Sequence, residues 1–531
     1  MSNQKILIAG EWKNSRNPEG FFSSRNPVEK RELPDKFPIS SREEILEMIR
    51  AGKKAADELY SISPEKMGDF LDRFAKNIEA RTEELVEIAH LETALPKDTR
   101  LRAVELPRTT NQLRQAAVAA RERSWARATI DTKSNIRSKF GALGGPVVVF
   151  GPNNFPYAFN SVAGGDFASA IAAGNPVIAK ANPGHAGTTK ILAEAAFDAV
   201  NDTGLPKATV QLIYHMEPEE GLMLITHPMI GATGFTGSRT SGLKLKEAAD
   251  KAGKPIYLEM SSVNPVFVLQ GALRERPAEI AEELYTSCSL GSGQFCTNPG
   301  IVIIEKNEEG LGFLNLVAEK FKENKPGTLL SSSGPKSIAD AVATLINAGA
   351  ELLVGGKEAE GPGYAYLNTL LKVPGDTFLN NAKVLQTEAF GTVTLFVLSE
   401  SADEMRAIAS KLEGNLTGSI YSDKVGEDDQ LYKQIEPLLR TKVGRLLNDK
   451  MPTSVSVVPS MNHGGPFPAT GHPGFSSVGI PGSMLRFASL HCYDNVREHR
   501  LPKELRNKNP TGKMWRLIDG EWSQANVTAY Q

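Results

Sequence analysis

Pro146-Val-Val-Val-Phe150 and Pro176-Val-Ile-Ala-Lys180 decide how this chain is built. Each is a short apolar run rich in β-branched residues and opened by proline. The stretch between them, 163–173, is made almost wholly of small residues. Runs this short bury as strands rather than helices, and the small-residue stretch packs as a helix against them. The pattern repeats downstream. A helix is predicted over 188–200, a strand at Thr209-Val-Gln-Leu-Ile213, a helix over 219–226 and a strand at Ile230-Gly-Ala-Thr-Gly-Phe235. Such strand-helix units predict an α/β fold, a parallel, doubly wound sheet that takes its ligands at the carboxyl ends of the strands.

Polar residues stand at three of those ends: Asn153 and Asn154, Lys180, and Thr236-Gly237-Ser238. The last group lies in Gly234-Phe-Thr-Gly237-Ser-Arg-Thr-Ser-Gly242, which is expected to open a helix over 243–252. Backbone N–H groups at such a helix start suit a pyrophosphate. The glycine spacing departs from GxGxxG, and a plain turn reads the same glycines equally well.

The chain has three cysteines, Cys288, Cys296 and Cys492, with no CxxC, which points away from disulfides and zinc ribbons and toward a reduced, cytoplasmic setting. Cys288 falls in a helical pattern and Cys492 is equally plain. Cys296 differs, because Ser289-Leu-Gly-Ser-Gly-Gln-Phe-Cys296-Thr-Asn-Pro-Gly300 frames it with glycine and proline. A thiol on tight backbone reads as a nucleophile, and Glu259 in Leu258-Glu259-Met260 reads as its partner base.

Composition excludes other classes. With 23% charged residues and a net charge of −2, no basic field suits nucleic acid. No apolar run approaches the roughly 20 residues of a membrane helix, and Met1-Ser-Asn-Gln-Lys5 lacks a secretory core. Eight scattered histidines without HExxH give no expectation of a metal.

Asn154-Phe-Pro156, Lys180, Phe235-Thr-Gly-Ser238, Leu258-Glu259, Gly293-Gln-Phe-Cys296 and Glu388-Ala-Phe390-Gly391 occur in the order and spacing of the aldehyde dehydrogenase superfamily. The resemblance runs from Ile8-Ala-Gly-Glu-Trp12 past His463-Gly-Gly-Pro-Phe-Pro-Ala-Thr470. It implies a Rossmann-like dinucleotide-binding domain (1–123 and 144–257), an α/β catalytic domain (258–470), and a small β oligomerisation element with the tail (124–143 and 471–531). It implies Cys296 as nucleophile, Glu259 as the base that activates water, and Asn154 with the Cys296 N–H as holders of the oxyanion. Lys180 and Glu388 would hold ribose hydroxyls, Phe390 would back the nicotinamide, and Phe235, Thr236, Gly237 and Ser238 would meet the pyrophosphate. A homodimer or homotetramer is expected.

Members that prefer NAD read Lys-Pro-Ala-Glu where this chain has Lys180-Ala-Asn-Pro183. Loss of that carboxylate removes repulsion against a 2′-phosphate, so NADP is expected, with NAD also used. His185, Lys190 and Arg239 are the cations nearest in sequence for a clamp.

Phe150-Gly-Pro-Asn-Asn-Phe-Pro-Tyr, Glu259-Met-Ser-Ser-Val-Asn-Pro and the 463–470 motif resemble 2-oxoglutarate semialdehyde (2,5-dioxovalerate) dehydrogenases of sugar-acid and hydroxyproline catabolism. A similar branch oxidises fatty aldehydes with NADP. Charge in the substrate tunnel separates the two. Arg108, with Gln112 one turn on, falls on the tunnel-facing side of the helix that lines it in the superfamily, although pairing with Glu105 would silence Arg108. Phe155, Phe295 and Phe467 would supply apolar walls. Glu259 points to hydrolysis rather than transfer to CoA. The retained Cys296 and Glu259 point away from a non-catalytic homologue.

Overall fold

Three large sheets and two two-stranded ones form in a computed structural model that describes residues 3–528. The first has seven strands in the order Ile256–Glu259, Ala232–Thr236, Val147–Phe150, Val177–Lys180, Val210–Ile213, Ile6–Ile8 and Glu11–Lys13. The first five are parallel, with Val147 in register with both Val177 and Ala232. Val147–Phe150 is therefore central. The chain winds outward from it to Val210–Ile213 and then returns to its other side, so the ends of Val147–Phe150 and Ala232–Thr236 open on the crevice at a switch point.

Val147, Val148, Val149, Val177, Ile178 and Ala179 are buried on both faces, which is why these strands read as continuous apolar runs. Helices Gly165–Ala172, Ala186–Thr203 and Pro218–Thr226 cover the sheet near their predicted places. The helix predicted over 243–252 starts earlier, at Arg239, because Ser238 caps it and accepts from the Ser241 N–H at 3.3 Å.

The second seven-stranded sheet runs Glu351–Val354, Thr369–Pro374, Val393–Ser399, Ile301–Glu305, Val266–Val268, Asn415–Tyr421 and Val443–Asn448, all parallel save the first. The loops before Ile301–Glu305 and Val393–Ser399 carry Cys296 and Glu388 toward the first sheet.

A five-stranded sheet joins Ser489–Asp494, Ile136–Gly141, Thr129–Asp131, Arg516–Ile518 and Glu521–Ser523. The similar Ile8-Ala-Gly-Glu-Trp12 and Ile518-Asp-Gly-Glu-Trp522 stretches are two hairpins with the same turn: Ala9-Gly10 and Asp519-Gly520 all have positive φ. Residues 471–487, grouped by sequence with the tail, do not join this sheet. Ile480, Met484 and Phe487 pack into the core of the first sheet instead.

Candidate active site

Glu259 ends the strand Ile256–Glu259, and Asn154 follows Val147–Phe150, so both side chains stand at the crevice of the first sheet. Cys296 reaches them from the loop between helix Pro277–Ser289 and strand Ile301–Glu305. That loop needs its glycine. Gly293 has φ +74°, and a Cβ there would lie 2.1 Å from the carbonyl carbon of Gly391. Asn264 Nδ2 pins the loop from behind, donating to the carbonyls of Cys296 and Asn298 at 2.9 Å each.

Asn154 Nδ2 donates to the Gln294 carbonyl at 2.8 Å, which fixes the amide against the cysteine loop and leaves its second hydrogen available. Among the described residues no acceptor takes the Cys296 N–H.

The histidine that sequence reading passed over is at the centre. His463 Nε2 lies 2.9 Å from Glu259 Oε1 and 3.4 Å from Cys296 Sγ, and Ser477 Oγ lies 2.8 Å from Glu259 Oε2. Donor atoms of Glu259, Cys296 and His463 all fall within 4.8 Å of one another. The histidines are scattered in sequence, yet the fold gathers one of them with the thiol and the carboxylate. The 463–470 motif was the available signal.

These contacts set the charges. Burial pushes the Cys296 thiol well up, the Glu259 carboxylate adds to this, and Arg108 opposes it. Burial also pushes the Glu259 carboxyl up, but His463 and the hydrogen bonds from His463 and Ser477 outweigh it and hold the group below its usual range. Its polar surroundings therefore make Glu259 a weaker base than its apolar sequence neighbours Leu258 and Met260 suggest.

Cys296 and His463 open on a cavity of about 710 Å³, walled by residues that include Phe155, Phe159, Phe295, Val455 and Val457. Arg100 and Arg108 also line it. Arg100 Nη2 stands 3.1 Å from the fully buried Glu105 and stacks over Phe155, 4.4 Å from the ring centre. Glu105 Oε1 accepts from the Tyr157 and Ala158 N–H groups. The carboxylate that could have paired with Arg108 is thus taken. Arg108 Nε and Nη2 are buried without a hydrogen-bond partner, and burial pulls the guanidinium below its ordinary value.

Two expected wall residues lie elsewhere. Phe467 is 56% exposed, with its ring 5.8 Å from the Arg239 guanidinium rather than on the cavity wall. Gln112 is buried and donates to the Ala158 carbonyl at 3.3 Å. Asn111 lines the cavity in its place.

A model of the aldehyde dehydrogenase family matches residues 12–449. The chain belongs to the aldehyde dehydrogenase family. It is 38% identical over 467 residues to the alpha-ketoglutaric semialdehyde dehydrogenase 2 of Azospirillum brasilense, covering 85% of this chain and 86% of that one. It is 34% identical over 501 residues to the alpha-ketoglutaric semialdehyde dehydrogenase of Acinetobacter baylyi, covering 92% and 93%. The solved lactaldehyde dehydrogenase of Escherichia coli superposes with a TM-score of 0.78 at 21% identity, over 92% of this chain and 98% of that one.

An aldehyde dehydrogenase uses a nicotinamide dinucleotide, and the crevice has groups to suit one. Lys180 is enclosed with no carboxylate within ion-pair reach among the described residues, and burial pushes it down to about 8. Burial pushes the Glu388 carboxyl up to about 7, against hydrogen bonds that include one from the Ser262 N–H. A lysine and a carboxylate that make no ion pair in an enclosed crevice fit the hydroxyl groups of a ligand. Phe235 is buried and Thr236, Gly237 and Phe390 are partly exposed, while Ser238 is exposed at the helix start. The three cations considered for a 2′-phosphate are engaged elsewhere. His185 Nε2 is 2.8 Å from the Pro152 carbonyl, Lys190 is 3.3 Å from Glu194, and Arg239 is 3.0 Å from Glu413.

Proposed function

We propose that this aldehyde dehydrogenase oxidises 2-oxoglutarate semialdehyde to 2-oxoglutarate, with NADP preferred and NAD accepted, in sugar-acid or hydroxyproline catabolism. The observation that carries the reading is Arg108, whose buried Nε and Nη2 have no hydrogen-bond partner in the cavity that Cys296 opens on. A substrate carboxylate supplies the missing partner, and two forked hydrogen bonds fix its orientation. The names of the Azospirillum and Acinetobacter relatives support the same substrate.

The chemistry follows from the groups present. Cys296 begins as a thiol, and His463 Nε2 at 3.4 Å accepts its proton when that nitrogen is bare. The sulfur attacks the aldehyde carbon. The second Asn154 amide hydrogen and the Cys296 N–H hold the oxyanion of the thiohemiacetal. A bound dinucleotide, held through Lys180, Glu388, Phe390 and the 235–238 turn, supplies the hydride acceptor. Glu259, anchored by His463 and Ser477, takes a proton from the water that hydrolyses the thioester. His463 meets both Glu259 and Cys296 through one nitrogen. It holds the carboxylate while Nε2 carries a proton and serves the thiol when it does not.

The cavity favours a second reading in one respect. At about 710 Å³ with largely apolar walls, it has room for a fatty aldehyde. We place the protein in the cytoplasm as a homodimer or homotetramer, a reading supported by three free cysteines and by the edge strand Ser489–Asp494. Among the described residues no helix is long and apolar enough to cross a membrane. The substrate assignment is tested by reduced-dinucleotide formation with the semialdehyde, an uncharged aldehyde of equal length and a long-chain aldehyde. A higher kcat/KM for the long chain would overturn it.

A further inference from the structure

We infer that Cys296, His463 and Glu259 form a site for a borderline-soft divalent cation of the zinc class, whose binding masks the thiol and reversibly silences the enzyme. The donor set is one thiol sulfur, one imidazole nitrogen and one carboxylate, which is a zinc set rather than a magnesium or calcium set. A tetrahedral zinc with ordinary bond lengths holds its ligand atoms roughly 3.3–3.6 Å apart. Here Sγ and Nε2 are 3.4 Å apart, Nε2 and Oε1 are 2.9 Å apart, and all three donors lie within 4.8 Å of one another. Closing the cage needs the Nε2–Oε1 pair to open by roughly 0.4 Å and the Sγ-to-carboxylate edge to close from at most 4.8 Å, shifts that side-chain rotations supply.

The surroundings support it. Ser477 Oγ, 2.8 Å from Glu259 Oε2, orients the carboxylate from behind and leaves Oε1 toward the other donors. Asn264 fixes the backbone of Cys296. The cavity beside Cys296 and His463 gives the cation an entry and leaves its fourth position to water.

Charge and protons balance. The S–H bond breaks, the sulfur keeps its electron pair and forms the S–Zn bond, and that proton passes to solvent. The Nε2 proton that served Glu259 moves to Nδ1, so Nε2 presents its lone pair. The dication with one thiolate and one carboxylate sums to zero, which removes the cost of enclosing an unbalanced charge. No redox step is involved. A metal-held sulfur gives one of its electron pairs to the cation and loses much of its negative charge, so it is a weaker nucleophile toward an aldehyde, an alkylating agent or peroxide, and inhibition and protection go together.

The test uses the full-length protein with exposed Cys492 changed to Ser, without aldehyde or dinucleotide, and needs no turnover, so its outcome is separate from the substrate assignment. Zinc chloride followed by calorimetry is expected to bind at one equivalent with release of one proton, and Co²⁺ to give a thiolate-to-cobalt band in the near ultraviolet. Zinc should slow iodoacetamide labelling of Cys296 at least tenfold, with EDTA restoring it, while Mg²⁺ and Ca²⁺ have no effect. His463→Asn and Glu259→Gln should each weaken zinc binding tenfold or more, with circular dichroism confirming that both are folded. Absence of one-equivalent binding, or binding undiminished in both variants and in Cys296→Ala, would overturn the inference.

Discussion

Arg100 Nη2 lies 3.1 Å from Glu105 Oε2, and Arg108, which feels Glu105 only through space, is left with Nε and Nη2 free of any hydrogen-bond partner. The two arginines line one cavity, and among the described residues one ion pair forms there, between Arg100 and Glu105. Glu105 is fully buried, and its other oxygen is committed to two backbone N–H groups. The cavity therefore presents one arginine in an ion pair and one without, which suits a substrate with a single carboxylate.

Arg108→Ala should raise KM for 2-oxoglutarate semialdehyde and lower kcat/KM by roughly 30- to 1,000-fold, the about 2–4 kcal/mol lost when one partner of a buried charged pair is removed. An uncharged aldehyde should keep its kcat/KM within about threefold, since it never used the charge. Equal losses for both substrates would show that Arg108 shapes the cavity rather than reading the carboxylate.

Glu259→Gln should separate two consequences of one carboxylate. Burial and the Glu259 charge both push the Cys296 thiol up, so the thiolate fraction of the cofactor-free protein is small at neutral pH and grows through pH 9. Iodoacetamide labelling of the wild type should rise about tenfold per pH unit without levelling over pH 7–9. Removing the carboxylate lowers the thiol, so Glu259→Gln should label faster at pH 8. Its steady-state turnover should nonetheless fall on the order of a hundredfold, the common scale for a lost general base, while the first burst of reduced dinucleotide persists. A normal steady state would remove Glu259 from the hydrolysis.

The doubly wound sheet was legible because its strands are buried on both faces, so Val147 to Val149 and Ile178 read as strand whatever surrounds them. The Cys296 loop was legible because glycines at 291 and 293 make sense only on tight backbone, and both have positive φ. His463 was not, because its meaning lies in contacts with Glu259 and Cys296, which are some 200 and 170 positions away in sequence. Arg108 was legible as a candidate, but its freedom was not: helical spacing offered Glu105 as a partner, and only the wide, π-type turns over Lys97–Glu105 bring Arg100 to that carboxylate. Phe467 failed for a related reason, since a motif fixes a residue's neighbours in the chain and not the side to which a ring turns.

Lys180 should make dinucleotide binding pH-dependent. Burial pushes its ammonium down to about 8, so below that pH the group is a donor and cation, and above it the charge is lost. KM for either dinucleotide should accordingly rise as pH passes upward through about 8, measured with aldehyde saturating. Lys180→Ala should have a higher KM throughout and lose this inflection. An unchanged inflection in the variant would assign it to another group.

The proposed preference for NADP would rest on a carboxylate that is absent rather than on a clamp that is present. Arg239 and Lys190 are paired with Glu413 and Glu194, and His185 is buried against the Pro152 carbonyl, so none stands ready for a 2′-phosphate. A preference that comes only from missing repulsion is small, so NADP should exceed NAD in kcat/KM by less than about tenfold, or 1.4 kcal/mol. Pro183 occupies the position of the NAD-selecting glutamate. It is the first residue of a short turn capped by Asn182, a helix-start position that favours a negative charge. Pro183→Glu should lower kcat/KM for NADP by tenfold or more through repulsion of the 2′-phosphate while holding or improving that for NAD. An equal loss with both dinucleotides would mean that the turn itself had moved. No loss with NADP would mean that the 2′-phosphate lies away from this turn.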